Sequence, residues 1–308
     1  MIEPIIYSIL GLAGLAIGGE FLVRGAVGIA RKLGVSNLVT GLVIVGCATS
    51  MPEMVASVQA ALKGSPELAW GNVVGSNIAN TLLILGVTAL VAPIALTGTG
   101  RRDAVIALLA TLLLWAMTYA QWGAVAAGIL LLVLLAAYVF WRVRHPRPAD
   151  EAEADGENPS PTGKAVMAFV AGLALLVGGG NLLVSGAIDM ARIFGVSETV
   201  IGLTVVAVGT SLPELAASVT AAVRGQPGLA LGNVLGSNIY NILLIGGVTM
   251  MVAPVPVPAS LLDYQMVLLA ASALVLLILM ATLRNIGRLA GAVLVMIFAV
   301  NTTMTLGS

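Results

Sequence analysis

Two glutamates stand where a carboxylate needs a chemical reason to be. Glu53 closes the run Ala48-Thr49-Ser50-Met51-Pro52-Glu53 inside an apolar stretch, and Glu214 closes Gly209-Thr210-Ser211-Leu212-Pro213-Glu214 in another, 161 positions later. Proline lacks the N–H that would bond the carbonyl four residues back, and its ring pushes on that carbonyl, so Pro52 and Pro213 mark helix breaks. Backbone oxygens of Ala48 and Thr49 come free beside the hydroxyls of Thr49 and Ser50 and the Glu53 carboxylate. Such a crowd of hard oxygen donors suits a hard cation, and Thr210, Ser211 and Glu214 repeat it. A plain kink, or hydroxyls bonded between helices, would account for the Pro, Ser and Thr. It would not account for two acids, because a charge at mid-bilayer costs about 2.5–3.5 kcal/mol even on the lenient insertion scale.

A second motif follows each acid: Gly71-Asn72-Val73-Val74-Gly75-Ser76-Asn77-Ile78-Ala79-Asn80, and Gly232 to Asn241 in the other half. On a helix Ser76 and Asn80 share a face, as do Ser237 and Asn241, so these four join the candidate ligands, with Asn80 and Asn241 lining the pocket. The glycine pairs Gly71 with Gly75 and Gly232 with Gly236 let the polar stripe approach a neighbouring helix closely. Asn72, Asn77, Asn233 and Asn238 are read as structural. No Lys or Arg falls inside these central stretches to balance Glu53 or Glu214, so their partner is a cation. Two negative charges neutralise one Ca2+, which accepts six to eight flexible oxygen ligands, whereas Mg2+ resists dehydration in such a site. When Ca2+ leaves, two like charges in low dielectric demand compensation by monovalent ions or protons. Exchange follows from that electrostatics.

The elements that must hold these residues are membrane helices. The chain has 308 residues, 59% hydrophobic and 9% charged, with mean hydropathy +1.07 and formal net charge zero. No global field therefore argues for a nucleic-acid partner, and the surrounding solvent is a lipid bilayer. Ten spans long enough to cross it are expected, approximately Ile5 to Ala30, Ser36 to Leu62, Leu68 to Ala92, Ala104 to Ala120, Gly123 to Trp141, Lys164 to Phe194, Ser197 to Val223, Leu229 to Ala253, Leu261 to Leu283 and Ile286 to Thr305. With the N-terminus outside, 11 Lys and Arg fall at cytoplasmic ends and two, Lys63 and Arg192, at outside ends. This positive-inside bias places both termini outside the cell membrane, and the first apolar stretch reads as a retained helix. Five spans per half is an odd number, so the second half enters from the opposite side. The chain is expected to be an all-α integral membrane protein of two inverted five-helix repeats, 1–142 and 164–308, joined by an acidic cytoplasmic linker, 143–163.

Aligned without gaps, Gly41 to Leu96 and Gly202 to Val257 share 33 identities in 56 positions. Leu-rich helices alone would not hold the same Thr, Ser, Pro, Glu and Asn in register, so the halves are duplicates whose motifs meet near the midplane. Other charges point elsewhere. Glu20 and Arg24 are spaced to form a local structural pair, and Asp103, Asp189 and Asp263 fall near span ends, facing the interface. The lone Cys47 cannot form an intramolecular disulfide, and His145 has no metal-ligating neighbours in sequence. An intramembrane enzyme finds no nucleophile and base, and an internal inverted repeat speaks against a channel of symmetric subunits.

The paired Thr-Ser-x-Pro-Glu and Gly-Asn-Val-x-Gly-Ser-Asn-Ile-x-Asn blocks resemble the two alpha repeats of the cation/calcium exchanger superfamily, in particular the compact prokaryotic Na+/Ca2+ exchangers. The resemblance implies the sodium/calcium exchanger fold, antiport of Na+ against Ca2+ without a cofactor, and function as a monomer. It implies that Glu53 and Glu214 are the shared central ligands of Ca2+ and Na+, with Thr49 and Thr210 giving carbonyls to Ca2+. Ser50, Ser76, Ser211 and Ser237, with carbonyls at Gly46 and Ala207, would complete sodium sites, and the first and sixth spans would slide to alternate access. Two departures stand out. Ala48 replaces the glycine found at Gly209, and many relatives carry Asp at the position of Asn241. Two carboxylates, and not three, lean toward K+-independent exchange, with H+/Ca2+ antiport as the alternative.

Overall fold

The computed structural model describes residues 2–96, 100–145, 162–195 and 207–307. Among the described residues, seven helices are long and apolar enough to span a membrane: α1 (Ile2–Leu33), α4 (Pro66–Val91), α5 (Arg101–Tyr119), α6 (Val125–Arg144), α7 (Thr162–Ile193), α9 (Pro227–Val252) and α10 (Gln265–Thr282). An eighth span is a broken pair, α2 (Asn37–Thr49) and α3 (Met51–Leu62), bent by 42°. Two shorter apolar helices, α8 (Leu212–Val223) and α11 (Arg288–Gly307), complete the ten expected segments in order. The N-terminal part of the seventh expected span, residues 196–206, and the linker from 146 to 161 lie outside the described residues.

The inverted arrangement is visible in how α1 meets α7. Glycines recur every seven residues on both, at Gly11, Gly18 and Gly25 and at their equivalents Gly172, Gly179 and Gly186. A Cβ on Gly11 would strike the Leu183 backbone at 2.5 Å, one on Gly18 the Leu176 nitrogen at 2.8 Å, and one on Gly25 the Phe169 nitrogen at 2.4 Å. Partners fall in number as α1 rises, so the two helices run antiparallel. In lipid no hydrophobic drive presses helices together, and backbone-to-backbone approach of this kind supplies dispersion contact instead. By contrast α2 and α9 run parallel. A Cβ on Gly41 would meet the Leu229 carbonyl at 2.5 Å, and one on Gly46 the Ser237 nitrogen at 2.9 Å.

Burial sorts the helices. The central pair α4 and α9 are enclosed, while α1, α6, α7 and α10 keep most of their apolar surface outward, as lipid-facing helices do. Trp70, Leu85, Leu114, Leu131, Ile245 and Leu276 are fully buried in the main core. Outside the helices, β1 (Ile94–Ala95) pairs antiparallel with β2 (Asn285–Ile286), Ile94 opposite Ile286, and ties the two halves together.

One expectation is corrected here. Asp103 does not face the interface: it is 1% exposed, and the guanidinium of Arg142 grips it with Nε 2.9 Å from Oδ1 and Nη2 3.1 Å from Oδ2. The Tyr138 hydroxyl donates to Oδ1 at 3.0 Å. Arg142 is itself buried, on the last turn of α6, while its neighbours Val143 and Arg144 are exposed. The pair that apolar composition could not foresee joins α5 to α6.

Candidate functional site

The site begins at a helix break. α2 ends at Thr49, Ser50 leaves helical geometry, and α3 restarts with Pro52 in its first turn, where a missing N–H costs nothing. Glu53 thus sits in the first turn of α3, where the positive end of the helix dipole favours a carboxylate. In the other half Ser211 precedes α8 in the same way, with Pro213 and Glu214 in its first turn. Ala207 opens a short helical turn, Ala207–Gly209, just before Thr210.

Folding brings the two breaks together. Glu53, Glu214, Thr49, Ser50, Ser76, Ser211, Ser237, Asn80 and Asn241 are all at most 4% exposed. The Ser211 hydroxyl donates to Glu53 Oε1 at 3.3 Å across the repeat boundary. The Ser237 hydroxyl donates to the Gly46 carbonyl at 3.5 Å, which also takes the Ser50 N–H at 3.2 Å. The Thr49 hydroxyl lies 3.1 Å from both the Val45 carbonyl and Asn233 Oδ1, two acceptors sharing its one proton. That hydroxyl is committed to protein.

Many polar atoms at this meeting point make no hydrogen bond. Glu53 Oε2, both Oε atoms of Glu214, the hydroxyls of Ser50 and Thr210, and both amide atoms of Asn80 and of Asn241 are buried without a hydrogen bond. A buried polar atom left unpaired costs about 1–3 kcal/mol, more when charged, so a cluster of them in one place signals a ligand. Among the described residues neither glutamate forms an ion pair, and no group of three or more His, Cys, Asp or Glu gathers. The donor set is two carboxylates with hydroxyls, amides and carbonyls, the chemistry of a hard cation and not of zinc.

Two features escape sequence reasoning. First, Asn80 and Asn241 each open a π-helical turn, Asn80–Ile84 and Asn241–Ile245, whose carbonyls take the N–H five residues on; Gly41–Val45 forms a third. Such wide turns collect at functional sites. Second, Ser57 and Ser218 complete a clamp behind each acid. Asn72 Nδ2 donates to the Glu53 carbonyl at 3.1 Å and to Ser57 Oγ at 2.8 Å. Asn233 Nδ2 donates to the Glu214 carbonyl at 3.2 Å and to Ser218 Oγ at 2.9 Å. The only signal for these serines was their identity in both copies.

A membrane chain whose two inverted halves each break a helix around one buried acid is a carrier by architecture. It belongs to the sodium/calcium exchanger protein family, whose model matches residues 3–144 and 164–307. The chain is similar to CaxA of Alkalimonas amylolytica, at 39% identity over 97% of both chains. It is also similar to the sodium/calcium exchanger MaX1 of Methanosarcina acetivorans, at 34% identity over 94% of this chain and 95% of that one. Among solved structures, the sodium-calcium exchanger NCX_Mj soaked with zero Na+ and Ca2+ superposes with a TM-score of 0.86 at 32% identity over 99% of both chains. The family is one of transporters.

Proposed function

We propose that this protein is an antiporter that exchanges Na+ for Ca2+ across the cell membrane, normally using inward Na+ to expel Ca2+. The observation that carries the reading is the cluster of buried, unpartnered oxygens around Glu53 and Glu214. Ca2+ would take both carboxylates and the carbonyls of Thr49 and Thr210. Sodium ions would take the same carboxylates with Ser50, Ser76, Ser211, Ser237 and the carbonyls of Gly46 and Ala207. Because the two occupants compete for one pair of acids, only one set is bound at a time, and charge balance favours exchange over empty return. Unpaired hydroxyls and amides favour Na+ over H+ as the counter-ion, since a proton on a carboxylate needs neither. Asn80 and Asn241 keep the pocket at two negative charges, which fits K+-independent exchange.

Alternating access would come from α1 and α7 sliding as a pair against the other helices, held to each other by their close backbone contacts at the glycines. The reading makes the two repeats, 1–142 and 164–308, halves of one site, complete in a monomer.

The test is radioactive Ca2+ flux into liposomes under imposed Na+, H+ or K+ gradients. Na+-driven uptake is expected without K+, and Glu53→Gln and Glu214→Gln are each expected to reduce it to background. Full flux in either variant would remove the central claim, uptake driven by H+ alone would select the proton antiporter, and a K+ requirement would overturn K+ independence.

A further inference from the structure

The two repeats are equivalent in sequence and unequal in packing. Residue i of the first half corresponds to i + 161 of the second, so α1 against α8 corresponds to α7 against α3. A Cβ on Gly19 of α1 would meet Thr220 Oγ1 of α8 at 2.5 Å and the Ala216 carbonyl at 3.2 Å. On its equivalent in α7, Gly180, the nearest foreign atoms are Leu212 Cβ and Pro213 Cδ at 3.8 Å. Ala216 and Thr220 are half-buried, whereas Val55 and Gln59, their equivalents on α3, are exposed. One face of the broken-helix pair is covered and its mirror image is open.

Charges mark the covered side. Glu20 Oε2 lies 2.6 Å from Arg224 Nη2 at the end of α8, and Glu20 Oε1 lies 2.5 Å from Arg24 Nε one turn along α1. Glu20 is therefore not only the partner of Arg24 but a bridge between α1 and α8. The equivalents of Glu20, Arg24 and Arg224 are Asn181, Ser185 and Lys63. The mirror contact has a cation and no acid to receive it.

We propose that Glu20 and Arg224 are positioning residues of the transport cycle, an ion pair that fastens α1 over α8 and favours the state closed on the Arg224 face. The inference rests on the alternating-access reading above. In the opposite state α7 would close on α3, where Asn181 faces Lys63 and no charge pair forms. The exchanger thus holds one of its two facing states more firmly than the other. Glu20 is 22% exposed and Arg224 54%, so screening keeps the bias modest, a factor of up to about five in population.

The test uses full-length protein in liposomes, in a Cys47→Ala background, with one reporter cysteine at a time: Thr220→Cys under α1, or its equivalent Gln59→Cys on α3. Reaction with an uncharged maleimide is measured for the parent and for Glu20→Gln, Arg224→Gln and Asn181→Glu. Loss of the pair is expected to raise Thr220→Cys labelling by up to about fivefold and lower that of Gln59→Cys. Asn181→Glu, which gives Lys63 an acid and so fastens α7 over α3, is expected to move both reporters the same way as loss of the Glu20–Arg224 pair, even if a loss variant fails to fold. Unchanged labelling across the variants, with Ca2+ flux intact, overturns the proposal. The antiporter reading fails separately, by persistence of flux in Glu53→Gln or Glu214→Gln.

Discussion

At the scale of single residues, the acids are set by asparagines. Asn72 and Asn233 donate from the neighbouring helix to the backbone carbonyl of the glutamate itself, so α3 cannot turn on α4, or α8 on α9, without breaking two hydrogen bonds. Asn233 does more than its twin, because its Oδ1 also receives the Thr49 hydroxyl from the other repeat. Asn233→Ala is expected to destabilise the protein by about 1–3 kcal/mol, and Asn72→Ala, at a partly exposed position with one fewer partner, by less. Thermal unfolding of the purified variants in detergent measures the difference; equal losses would argue that the Thr49 contact adds nothing. The glutamates, threonines and serines were legible from their types and spacing. Ser57 and Ser218 were not, since a lone serine in an apolar helix reads as well for packing as for a bond to a particular amide.

At the scale of elements, hydropathy and turn residues located the helices to within a few positions, and Pro52 announced the break between α2 and α3. The π turns at Asn80 and Asn241 left no trace in composition, because they change which N–H meets which carbonyl and not which residues are apolar. The α5–α6 pair shows the same limit. Asp103 and Arg142 read as interface charges because each stands at a span end, and only the packing of the two helices reveals that they grip each other away from water. Removing one partner of a buried pair strands the other, at about 3–5 kcal/mol. Arg142→Met and Asp103→Leu alone should therefore each lower thermal stability sharply, and the double variant should recover much of the loss. Additive losses in the double variant would show that the pair is not a unit.

At the scale of the whole molecule, the duplication and the inverted orientation were both readable, one from residue identities and the other from the placement of Lys and Arg. The antiparallel course of α1 and α7 agrees with the second. What the bias proposes further is sidedness: reporters at residue 2 and residue 307 are expected on the outer face and one in the 143–163 linker on the cytoplasmic face. Protease protection of inverted and right-side-out vesicles checks it, and reporters at the two ends on opposite faces would contradict an even number of spans. The small ribbon that pairs Ile94 with Ile286 has a consequence of another kind, in time. These partners are 192 positions apart, and at about 5–20 residues per second of synthesis the ribosome needs on the order of 10–40 s to deliver the second after the first. Through the earlier part of that interval, until residues 211 to 252 are made, the early helices sit in the bilayer with the Gly41 and Gly46 surfaces not yet met by α9 and with the Glu53 carboxylate short of its Ser211 donor. The nascent chain must shelter a half-built acidic site from lipid before it can use a whole one.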